Sequence, residues 1–121
     1  MKKVLWLGIC LFISASNIAN VYFYNKEYNK SIKYQNESLN IRKKIFGENH
    51  PDVALCYNNI AMVYFKLREY QLAIENFEKA LVIFTNTLPS NHPYINFVKK
   101  NIEDSKQLLE FRDDREKKIM L

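Results

Sequence analysis

The tripeptide Asn49-His50-Pro51 recurs as Asn91-His92-Pro93, 42 residues further along the chain. The same step aligns Asn17-Ile18-Ala19 with Asn59-Ile60-Ala61, Val21-Tyr22-Phe23 with Val63-Tyr64-Phe65, and Glu27-Tyr28 with Glu69-Tyr70. Of the thirty-five pairs between 17–51 and 59–93, fourteen are identical, and most of those are apolar, aromatic or Asn. No other feature constrains the fold as strongly. A unit of this length is one supersecondary element that cannot bury its hydrophobic face alone, so the copies must stack.

Local rules make each unit a pair of helices. His50 precedes Pro51 and is pushed out of the α region, whereas Pro51 suits the first helical position. Asn49 or His50 can cap, and Asp52 falls in the first turn, where the helix dipole favours a negative charge. Val53, Tyr57, Ile60, Ala61 and Tyr64 then recur at steps of three and four, the stripe of one buried helical face. The stripe breaks at Leu67-Arg68-Glu69. A second begins with Tyr70, Ala73, Ile74, Phe77, Ala80, Leu81 and Phe84, and Pro89-Ser90-Asn91 ends it. Only two glycines and three prolines interrupt 121 residues, which favours helices over short strands.

The segment Tyr57-x-x-Ile60-Ala61-x-x-Tyr64 followed by Ala73-x-x-x-Phe77 resembles the tetratricopeptide signature. The 42-residue step and the Asn-His-Pro-Asp-Val-Ala start make it similar to the kinesin light chain subtype. The first copy is weaker: Ala15-x-x-Ile18-Ala19-x-x-Tyr22 fits, but Ser31 and Gln35 stand in place of Ala and Phe. The resemblance runs from about residue 14 to about residue 105. It implies an all-α fold, a right-handed αα-superhelix of two helix-turn-helix repeats and a C-terminal capping helix. The expected divisions are an apolar leader at 1–13, repeats at 14–48 and 49–90, a cap at 91–111 and a charged tail at 112–121. The last helix retains Ile95, Val98, Ile102, Ser105 and Leu109 as one apolar stripe. Its other face is polar, as a terminal unit meeting water requires.

The leader fits two descriptions. Lys2 and Lys3, an apolar run over 4–13 and the small residues Ser14-Ala15-Ser16 describe a secretory signal peptide. They equally describe the apolar first part of helix 1. The corresponding locations are the cytoplasm and an exported compartment. A membrane is a partner only if the leader is an uncleaved anchor, since the run alone is short for a bilayer. With so few repeats, self-association through the N-terminal end is an expected remedy for an uncovered face.

Candidate chemistry is sparse. His50 and His92 occupy equivalent places beside Pro and read as caps. Cys10 and Cys56 form no C-x-x-C and read as packing thiols. No glycine-rich phosphate loop, G-x-S-x-G or H-E-x-x-H occurs. Catalytic residues, cofactors and metals are therefore not expected. The net charge of +5 biases attraction towards acidic partners. The clusters Arg42-Lys43-Lys44 and Lys99-Lys100 come without a nucleic-acid motif, so a nucleic-acid partner is not expected.

The periodic polar signal is Asn17, Asn59 and Asn101, each just before an Ile of a first helix. The resemblance implies that first helices line a concave groove, where Asn holds the backbone of an extended peptide. A side-chain amide suits that role because it offers a donor and an acceptor together. By register Asn58, Lys66 and Lys100 join the same surface and favour acidic side chains. The expected function is a protein-interaction module holding an acidic peptide segment. The alternatives are a divergent repeat fragment with a purely structural role and an exported scaffold.

Overall fold

The computed structural model describes residues 2–120. Met1 and Leu121, the outermost residues of the leader and tail, lie outside it, as do the side chains of residues 2–5 and 12. Among the described residues there are five helices and no strand: α1 (Lys2–Tyr24), α2 (Tyr28–Phe46), α3 (Pro51–Lys66), α4 (Tyr70–Thr87) and α5 (Pro93–Met120). Each helix packs on the next in chain order. α1 with α2 and α3 with α4 are the two repeats, and α5 closes the stack.

The starts of the later helices follow the Asn-His-Pro rule. His50 is extended, and its Nδ1 accepts the backbone N–H of Asp52 at 3.1 Å, with Pro51 at the first helical position. One repeat later His92 Nδ1 accepts the N–H of Tyr94 at 3.1 Å. Both histidines thus satisfy a helix N–H that has no intrahelical partner. Phe46 stacks on His50 with ring centroids 4.4 Å apart, which holds the capping imidazole in place.

The turns inside the two repeats are copies of each other. Lys26 has φ 63° and Arg68, 42 positions later, φ 62°. Glu27 N–H donates to the Tyr22 carbonyl and Lys26 N–H to that of Phe23; Glu69 donates to Tyr64 and Arg68 to Phe65 in the same way. This is the Schellman pattern, which satisfies carbonyls left over at a helix end and needs one left-handed residue. Glycine normally fills that place, so a Cβ is carried at some conformational cost.

The core is dominated by the second repeat and the cap. Val53, Cys56, Ile60 and Ala61 of α3 meet Ala73, Phe77, Ala80 and Phe84 of α4, and Ile95, Val98 and Ile102 of α5. Ala61, Ala73 and Ala80 are fully buried where helices approach closely. A larger side chain there would overpack the junction.

Helix α1 takes in the apolar leader, and helix α5 takes in the charged tail. α1 starts at Lys2 and runs without a break through the apolar segment, because nothing before Asn25 stops it. It passes straight through the positions equivalent to Asn49-His50-Pro51. Gly8 suits this extension: a Cβ there would lie 2.9 Å from Ile45 Cδ1 of α2. The stretch Trp6–Tyr24 has a mean hydropathy of 1.4, apolar enough by length and composition to cross a bilayer, a property that signal sequences and core helices share. At the other end α5 continues through the charged segment to Met120. Asp113 with Lys117 and Asp114 with Lys118 are spaced four apart, which supports an exposed helix, and the terminal lysines suit the dipole.

The left-handed turn residues yield a stability prediction. Lys26→Gly and Arg68→Gly should each raise unfolding free energy by about 1 kcal/mol, after allowance for the greater freedom of unfolded Gly. Urea unfolding midpoints of the single and double variants check this, and the two gains should add.

Candidate groove between the first helices

The second repeat buries Ala73, Phe77, Ala80 and Phe84 from α4. At the equivalent places α2 carries Ser31, Gln35, Ser38 and Arg42, and the first three are buried. The first repeat therefore has the shape of the second with a polar lining. Most of that lining is paired. Ser31 Oγ donates to the Ala19 carbonyl at 2.8 Å, and Ser38 Oγ lies 2.7 Å from Ser16 Oγ. Arg42 donates to the Asp52 carbonyl at 3.0 Å and to Ser16 Oγ at 3.1 Å, tying α2 to both α3 and α1.

Cys56 sits against this network, with Sγ 3.7 Å from Ser38 Oγ. Burial pushes its thiol above the ordinary cysteine range, while the Arg42 charge and the Ser38 hydrogen bond pull it partly back. Cys10 is exposed.

Where the polar lining of α2 reaches the side shared by α1, α3 and α5, a cleft of about 210 Å³ opens. α1 contributes Asn20, Phe23 and Tyr24; α2 contributes Ser31 and Gln35; α3 contributes Asn58, Asn59, Met62 and Val63; α5 contributes Phe97. Gln35 is only 2% exposed. Its Oε1 and the Oδ1 of Asn58 are buried without a hydrogen-bond partner among the described residues. Two acceptors with aromatic and thioether walls suit a ligand that brings N–H donors and apolar surface.

Of the residues expected in a groove, Asn58 and Asn59 line this cleft. Asn101 stands at its edge, its Nδ2 3.9 Å from the Met62 sulfur. Asn17, Lys66 and Lys100 are exposed on α1, α3 and α5 and are not among the lining residues. Sequence reasoning missed Asn20, Phe23, Tyr24, Met62 and Phe97. It had noted Gln35 only as a departure from the repeat pattern. The available signal was that departure itself: a long amide at the register of Phe77 must find a polar use or remain a burden. Among the described residues no three His, Cys, Asp or Glu side chains gather as a metal site would require.

Helix pairs stacked at a fixed period, with first helices lining one face, define a helical-repeat solenoid that presents a groove. The tetratricopeptide repeat family matches residues 11–86, more than half of the chain, and the chain belongs to that family. No curated protein matches the sequence. Among solved structures it is similar to the nearly identical TPR-like repeats of a Podosopora anserina protein described as a kinesin light chain. The TM-score is 0.67 at 21% identity, over 88% of this chain and 50% of that one. A single-substitution variant of the same protein superposes with a TM-score of 0.68, with the same identity and coverage. The chain thus spans about half the length of the repeat structures it matches, and the likeness is one of fold.

Two predictions follow from the polar lining. Gln35→Met keeps the side chain's length and removes the orphan acceptor, so it should raise unfolding free energy by about 1 kcal/mol in urea titrations. Because the Cys56 thiol holds its proton more tightly folded than unfolded, its contribution is intact at neutral pH. It is lost as pH climbs above the unfolded thiol's value. Between about pH 8 and 10, unfolding free energy should fall more steeply for the native chain than for Cys56→Ala.

Proposed function

We propose that the chain is a protein-interaction module that holds an extended peptide, rich in acidic side chains, along the face shared by α1, α3 and α5. A tetratricopeptide fold is that of a binding scaffold, so the question is what its groove takes. The observation that carries the reading is the pair of buried, unpartnered acceptors, Gln35 Oε1 and Asn58 Oδ1, at the base of the cleft. An extended peptide offers backbone N–H groups to such acceptors, and Asn59 beside them can both donate and accept. Apolar parts of the peptide would lie against Phe23, Met62 and Phe97. Its carboxylates would meet Lys66 and Lys100, exposed on α3 and α5, and Asn17 and Asn101 would extend the row of amides.

A second reading is favoured by the half-length coverage of the matched repeat structures. In it this stretch is a structural piece of a repeat array with no ligand of its own.

A display library of extended peptides separates the two. The proposal expects selected peptides to be acidic and to bind the full chain in fluorescence polarisation. Asn59→Ala or Asn58→Ala should weaken binding about 2- to 10-fold each, the loss of one hydrogen bond. Reversing Lys66 and Lys100 to Glu should remove the preference for acidic sequences. Selected peptides whose affinity ignores Asn58 and Asn59 would overturn the cleft as the binding site, and a library that yields none would leave the structural reading standing.

A further inference from the structure

Among the described residues Gln35 is the largest polar side chain that is buried. Phe77, 42 positions later, is just as enclosed and leaves no polar atom to satisfy. The register partner of Asn58 on α5 is Lys100, which is exposed. The first cleft therefore carries two unmet acceptors, Gln35 Oε1 and Asn58 Oδ1, where the equivalent places one repeat on carry none. An acceptor enclosed without a donor is a standing cost to the free chain, and a ligand that supplies the donor recovers it.

The cleft limits what that ligand group can be. At about 210 Å³ it falls below the roughly 300–1,000 Å³ of pockets for drug-sized molecules, and it suits one side chain. Both oxygens are buried, so a backbone crossing the mouth does not bring a donor to each. N–H groups on one side of an extended strand recur only at every second residue, roughly 6.6 Å apart. A single side chain entering the cleft can serve both. The described residues that line it include no Asp, Glu, Lys or Arg. A carboxylate would set acceptor against acceptor. An ammonium or guanidinium would bury its charge with no carboxylate to meet it. A hydroxyl, an indole or a neutral imidazole brings a single donor. A primary carboxamide is neutral, brings two N–H donors, and has a carbonyl that can accept from Asn59.

We infer that the cleft is an anchor pocket for a glutamine or asparagine side chain of the bound peptide, whose amide nitrogen donates to Gln35 Oε1 and Asn58 Oδ1. The inference rests on the peptide-binding reading and narrows it: carboxylates of the peptide meet lysines outside the cleft, and one neutral amide enters. The terminal torsions of Gln and Asn are broad, so both acceptor amides can turn their oxygens to the incoming group. Phe23, Met62 and Val63 line the same cleft and take up the methylene stem. Glutamine, with one CH₂ more to bury, is preferred over asparagine.

Fluorescence polarisation on the full chain, with peptides selected from a display library of extended sequences, tests it. The expected result is one position held by glutamine or asparagine inside an otherwise acidic sequence. Changing that peptide glutamine to glutamate turns a donor into an acceptor and should weaken binding at least about tenfold. Asn58→Asp keeps an acceptor and adds a charge, so it should move the preferred residue at that position to lysine or arginine. Gln35→Met should erase the discrimination between peptide glutamine and leucine, with helix content unchanged by circular dichroism. Binders that depend on Asn58 and Asn59 yet accept glutamate at every position overturn the anchor and leave the peptide groove intact. A preference that Asn58→Asp does not move overturns the anchor as well. A library without binders overturns the groove and the anchor together.

Discussion

Close approach of α3 to α4 depends on the absence of bulk at their crossing. Ala61, Ala73 and Ala80 leave the backbones near enough for Phe77 and Phe84 to be enclosed completely. Once that hairpin has its spacing, α5 can lay Ile95, Val98 and Ile102 on one side of it, and α2 can meet it on the other. The cap is tied in by Arg112, which donates to the Arg68 carbonyl at 2.9 Å and lies over the Tyr70 ring. The second repeat thus supplies most of the buried hydrophobic cluster among the described residues, and α2 and α5 pack on it.

The first repeat achieves a similar outline with different forces. Hydroxyls and a guanidinium occupy places that alanine and phenylalanine hold in the second. Such a network is directional: Arg42 reaches Ser16 on α1 and the Asp52 carbonyl on α3 only if the three helices keep one relative placement. Apolar packing tolerates small shifts that a three-way hydrogen-bonded junction does not. The same polarity leaves Gln35 with an acceptor unmatched. Structural order in the first repeat and an unmet polar group at the cleft therefore come from one set of departures from the repeat pattern.

Much of the fold was legible because the residues that carry it recur. Pro51 and Pro93 announce their helices, the apolar stripes of α3, α4 and α5 read directly, and the break at Leu67-Arg68-Glu69 is the turn. The left-handed residues were not legible, since Lys26 and Arg68 replace the glycine that normally marks such a place. Where no breaker intervenes the sequence marks no helix end, and α1 and α5 both extend beyond the repeat period. The groove was half legible. Asn58 and Asn59 followed from register, but the cleft also draws on α2 and on aromatic residues of α1 and α5. Which of those converge depends on how far neighbouring units tilt together, and no single period encodes that.

The paired left-handed turns carry a geometric corollary. Lys26 and Arg68 are exposed, basic and one repeat apart, and each sits at the apex joining a first helix to a second. All such apices of a superhelix lie along one rim. A longer array assembled from this unit would display one cation per repeat at regular pitch along that rim, a charged ladder whose rungs are set by backbone geometry and whose sign is set by the side chain chosen to bear the strained φ.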